Sequence, residues 1–140
     1  MKKITFFAAF ILSFSFAFGQ TDLVEKATQE MVAAYELNAE QTAEMQKIQE
    51  RKYRNLAEIE ALKKTNEDLY LQKLQALEYG TDMSVMRLFS ENKTQLTAFN
   101  KERSERRLAK ANFQKEMQEQ GLSAKEIEAK YWEARVSSWQ

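Results

Sequence analysis

Two stretches of this 140-residue chain concentrate side chains that could hold a ligand, and both are basic. Lys47, Arg51, Lys52 and Arg54 stand against a single acid, Glu50, between residues 47 and 54. Lys101, Arg103, Arg106, Arg107, Lys110 and Lys115 stand against Glu102 and Glu105 between residues 101 and 115. Each stretch has apolar neighbours, Ile48 and Leu56 beside the first, Phe99 and Phe113 beside the second. A surface of this kind can attract another polypeptide by long-range charge and then retain it by weak apolar contact. Lys47, Arg51, Arg54, Phe99, Arg103, Arg106 and Lys110 are therefore the candidate residues for binding an unfolded or partly folded chain. Arg103 and Arg106 stand out because they interrupt an otherwise apolar helical repeat. The same charges can also be read as a solvated face, complemented by acids on neighbouring helices.

Covalent and acid–base chemistry has little to work with. The chain has no His and no Cys, which removes the commonest general base, the thiol nucleophile and the usual transition-metal ligands. No Ser lies in a nucleophile elbow, and no glycine-rich phosphate loop occurs. Carboxylates are interleaved with Lys and Arg at helical spacing, as on a solvated helix face. Met83 and Met86 lie one turn apart and could meet copper(I), but packing explains them more simply. No enzyme, cofactor or metal site is expected.

The elements that must position these residues are read from the leader onward. Lys2 and Lys3 precede an uncharged run from Ile4 to Phe18, and Ala17-Phe18-Gly19 places small residues where a signal peptidase reads. This is the pattern of a cleavable secretory signal at residues 1–19, too short for a membrane span. Export to the periplasm follows, with one domain over residues 20–140 that does not insert into the membrane. Without Lys2 and Lys3 the domain carries 19 basic and 21 acidic residues. That near balance argues against a nucleic-acid binder. With no Pro, three Gly in all, and abundant Ala, Leu, Glu, Lys, Gln and Arg, the domain is expected to be all-α.

Capping signals divide it into four to five helices. Asp22 with Glu25 suggests a start near residue 23, and Leu37-Asn38-Ala39-Glu40-Gln41 a tight joint where Asn38 caps and Gln41 closes the box. A second helix is expected over about 39–64, with Thr65-Asn66 either a break or a kink. Gly80 is expected to stop the next segment as a C-terminal glycine, with Thr81 and Asp82 as fresh caps. A single helix over about 82–119 would then exceed 50 Å at about 1.5 Å per residue. That length suggests a thin, elongated bundle of long antiparallel helices, with a second copy of the chain covering part of the seam. Gly121 ends it, and Ser123 with Glu126 opens a last helix over about 124–138, with Ile127, Tyr131 and Ala134 on one side.

Leu37-Asn38-Ala39-Glu40-Gln41 and Leu122-Ser123-Ala124-Lys125-Glu126 share one form: Leu, a capping residue, two spacers, then Gln or Glu. In an exported, helical chain without Pro or Cys, this pair resembles the LTxxQ motif of the Spy-like family of periplasmic proteins. Asn38 and Ser123 replace the family's Thr, and Glu126 its second Gln. The resemblance implies a thin, cradle-like homodimer of long helices that holds unfolding envelope proteins without nucleotide, as a stress-response chaperone. Relatives in the same superfamily instead sense metals or restrain envelope stress signalling. A structural coiled-coil role is the remaining alternative.

Overall fold

The computed structural model describes the backbone of residues 4–140 and the side chains of residues 19–140. The leader expected at residues 1–19 therefore lies, apart from Gly19, outside the residues whose side chains are described. Five helices and no strand occur among the described residues: α1 (Ile4–Tyr35), α2 (Ala39–Glu60), α3 (Glu67–Leu88), α4 (Lys93–Glu119) and α5 (Ala124–Ser137). The chain forms two compact units, one up to Arg54 and one over Asn55–Gln140. No described helix is long and apolar enough to cross a membrane.

In the first unit α1 runs without interruption past Asp22 and Glu25, so the start expected near residue 23 is not a helix end in this chain. Those two carboxylates are ordinary exposed positions of a helix interior. The corner between α1 and α2 behaves as its sequence implies. Glu36 takes a left-handed backbone (φ 53°), which turns the chain. The Asn38 side chain then accepts the Gln41 amide at 2.8 Å, while the Asn38 amide donates to Gln41 Oε1 at 3.2 Å. Two of the amides opening α2 are thereby satisfied by reciprocal bonds. Val24, Thr28 and Tyr35 of α1 are buried, as are Met45, Ile48, Gln49 and Tyr53 of α2. Leu37 is half-buried at the corner.

In the second unit the chain breaks at residues 61–65, so α2 and α3 are two helices. Asn66 accepts the Leu69 amide at 3.1 Å, and Glu67 and Asp68 complement the amide end of α3. Gly80 does not end α3. A glycine terminates a helix when it adopts positive φ, and Gly80 keeps negative φ while Leu74, Leu77 and Val85 stay buried on either side of it. Thr81 and Asp82 are accordingly helix-interior residues rather than caps.

The break falls instead at residues 89–92, inside the span expected as one long helix. Asn92 is the N-cap of α4 and accepts the Gln95 amide at 3.0 Å. Phe89, fully buried, anchors the turn edge-on against Phe99, with centroids 6.0 Å apart. With 27 residues, α4 is roughly 40 Å long. The length argument for a second chain along its seam falls with the split.

The end of α4 matches expectation. Gly121 takes φ 85°, Leu122 donates to the Met117 carbonyl and Gly121 to Gln118, the paired bonds of a glycine-terminated helix. Ser123 and Glu126 then form a full capping box for α5. This last helix packs against both α3 and α4. It buries Ile127, Trp132, Val136 and the following Trp139, whereas Ala134 is exposed rather than on the apolar side. Phe113, Tyr131, Trp132 and Trp139 form a chain of ring contacts at 5.2–6.4 Å.

Candidate functional site

Among the described residues both units carry a recess, and the two differ in chemistry. In the first unit an open groove of about 560 Å³ runs between α1 and α2. Its α1 wall carries Gln20, Thr21, Val24, Glu25, Thr28 and Gln29, pairs of residues four apart and so stacked on one helix face. Its α2 wall carries Thr42, Gln46, Glu50 and Arg54, again at four-residue spacing. Six of these ten side chains are amides or hydroxyls. Gln46 donates to Glu50 at 3.0 Å, and the Thr28 hydroxyl donates back to the Val24 carbonyl at 2.7 Å. Close by in sequence, Gln49 is buried with its Oε1 unpaired, its amide nitrogen reaching only Met45 Sδ at 3.6 Å.

Of the first basic cluster, Arg54 lines this groove. Lys47 is exposed and bonded to Glu44 at 2.6 Å, and that bond holds its ammonium above the usual lysine range. Arg51 is exposed on the same helix. Tyr53, which sequence reasoning passed over, is buried, and its phenol is pushed up by that burial and by Glu30.

In the second unit the other cluster turns inward. Arg103 bonds Asp82 at 3.2 Å, and Arg106 reaches Asp82 at 3.1 Å and Glu78 at 3.3 Å, all four side chains being about one-fifth exposed or less. Arg135 of α5 closes on Glu78 at 2.6 Å. Burial works against the Arg106 charge, but Asp82 and Glu78 outweigh it and raise its pKa. Lys110 bonds Glu128 at 3.3 Å and sits over the Tyr131 ring at 4.6 Å, while the Trp132 indole donates to the same Glu128 at 2.8 Å. Arg103 and Arg106 thus interrupt the apolar repeat because α3 places acids one turn apart opposite them. They are half-buried pairing residues rather than an open basic patch. Phe99 is 3% exposed and belongs to the core, so it offers no surface to a ligand.

No family model, curated protein or solved structure matches this chain.

Met86 Sδ accepts from an Arg103 guanidinium nitrogen at 2.9 Å. Among the described residues no cluster of three or more His, Cys, Asp or Glu could hold a metal ion. The capping residues Leu37, Asn38, Gln41, Leu122, Ser123 and Glu126 lie at helix starts, where they set chain direction. Residue periodicity missed the groove because its polar lining resembles any solvated face. The one available signal was the four-residue repeat Thr42, Gln46, Glu50, Arg54.

Proposed function

We propose that this chain is an exported, ATP-independent chaperone of the periplasm that holds unfolded or partly folded polypeptides, and that the α1–α2 groove receives them. The observation that carries the reading is the groove's lining. Neutral amide and hydroxyl side chains bond main-chain N–H and C=O groups, which every polypeptide presents whatever its sequence. Glu25, Glu50 and Arg54 add both signs of charge without favouring one class of client. A volume of about 560 Å³ lies in the range of sites that engulf a small ligand or a short chain segment. Open amide-lined contact gives weak, broad affinity, which suits transient holding. The exposed Lys47 and Arg51 extend this face of the reading. The cradle-shaped homodimer implied by the family resemblance belongs to the same proposal, with sedimentation equilibrium as its check.

The test is light scattering of two unrelated unfolding clients, with and without the protein recovered from the envelope of an exporting cell, in the absence of nucleotide. Suppression of both at near-stoichiometric amounts is the expected result. Gln46→Leu with Gln29→Leu should reduce it several-fold at unchanged helicity. Suppression of neither client would overturn the chaperone reading and favour a regulator with a single partner.

A further inference from the structure

The recess of the second unit holds donors that its own acids do not use. Four cations, Arg103, Arg106, Arg107 and Lys110, follow one another on α4 at spacings of three, one and three residues and so form one stripe. With Glu78 and Asp82 of α3 and Tyr131 of α5 they line a partly open cavity of about 70 Å³. Like charges one turn apart repel, and three of the four are answered: Arg103 and Arg106 by Asp82 and Glu78, Lys110 by Glu128. Arg107 is not. It lies exposed at the mouth, with no carboxylate partner among the described residues and only the Ser104 hydroxyl at 3.4 Å.

Tyr131 repeats the pattern. Its ring is engaged by Phe113, Trp132 and Lys110, yet its hydroxyl makes no hydrogen bond among the described residues. Burial, then the neighbouring Glu78, raise the phenol's pKa, so it stays an O–H donor at neutral pH. The acids of the recess offer it no excess of negative charge. Glu78 is shared by Arg106 and Arg135, and Asp82 by Arg103 and Arg106. Counting Glu102, which also acts on Arg106, and Glu128, the cluster sets five cations against four acids. The surplus coincides with Arg107.

We propose that this recess binds a small oxyanion, a phosphate or carboxylate group, between the Arg107 guanidinium and the Tyr131 hydroxyl, with Lys110 alongside. A guanidinium fork matches the paired oxygens of either group. The volume suits it: a single water needs about 10–15 Å³ of such space, and the recess of about 70 Å³ leaves room for a small oxyanion. Entry is open on the side where Arg107 is exposed. The proposal does not depend on the polypeptide-binding reading, which uses the other unit.

The test titrates the purified, isotopically labelled protein with inorganic phosphate, acetate and chloride at matched ionic strength, following the Arg107 side-chain N–H and the Tyr131 ring by NMR. Saturable shifts with phosphate or acetate, absent with chloride, are expected, and the tighter of the two names the preferred source. Arg107→Gln and Tyr131→Phe should each weaken binding roughly tenfold, the size of one hydrogen bond to a charged group. Arg107 is exposed and Tyr131→Phe keeps the packed ring, so both variants should fold. Lys101→Gln, an exposed cation outside the recess, should bind unchanged. Equal shifts with chloride, an Arg107→Gln variant that titrates like the parent, or an equal loss in Lys101→Gln would overturn the proposal.

Discussion

The two units handle polar side chains in opposite ways. The first lines an open groove mainly with uncharged amides and hydroxyls and, among the described residues, leaves the buried Gln49 amide oxygen without a partner. The second draws Glu78, Asp82, Arg103, Arg106 and Arg135 inward and pairs each of them. Charges removed from water need close partners, so they fix one arrangement of α3, α4 and α5. Neutral amides bond water or another chain almost equally well, so the groove keeps its capacity for a visitor. A helix bundle can thus spend its polar residues on specifying itself or on meeting something else.

The largest effect expected from breaking this contrast is in the second unit. Trp132, 1% exposed, is among the largest fully buried side chains and is the bulkiest residue that α5 sets into the core. Trp132→Ala should cost about 3–5 kcal/mol, read by denaturant unfolding, with hydrogen exchange accelerating in α3–α5. Next comes Arg106→Ala, which leaves Asp82 to Arg103 alone and Glu78 to Arg135 alone. Because these groups retain some solvent, the loss should be about 2 kcal/mol rather than that of a fully buried pair. A neutral result by the same unfolding measurement would mean that the network adds little to stability.

The first unit should respond with the opposite sign. Gln49→Leu removes an amide oxygen that has no partner and should stabilise by about 1 kcal/mol. Destabilisation in thermal unfolding would instead reveal a role for that oxygen. The two glycines of the second unit offer a smaller pair of effects. Gly121→Ala forces a side chain to φ 85° and should cost about 1 kcal/mol. Gly80→Ala, inside α3 with open space around it, should gain roughly 0.5 kcal/mol. Both are read from thermal midpoints.

The smallest effect is a pH dependence at the head of α5. The Ser123 amide and hydroxyl hold the Glu126 carboxyl below its usual range. A depressed carboxyl contributes stability that is present above its unfolded pKa and is lost as pH falls through the folded value. Hydrogen exchange at the first turn of α5 should therefore quicken on acidification, and Glu126→Gln should flatten that response.

The sequence by itself determined what depends on neighbours along the chain. All-helical character, the Asn38 and Ser123 capping boxes and the Gly121 stop were legible because each rests on contacts within about one turn. Tertiary structure decided where local signals compete. In sequence Gly80 reads as a boundary and Asn92 as the interior of one long helix. The helix continues through Gly80 because Leu77 and Val85 are buried on one core face, and it ends before Asn92 because Phe89 is fixed against Phe99. Tertiary structure also decided which basic residues face a partner within the fold. Arg103 and Arg106 look like Lys47 and Arg51 in sequence, and only the placement of Glu78 and Asp82 on a different helix turns them inward. Charge pairing across helices depends on distance in space, which spacing along the chain does not encode.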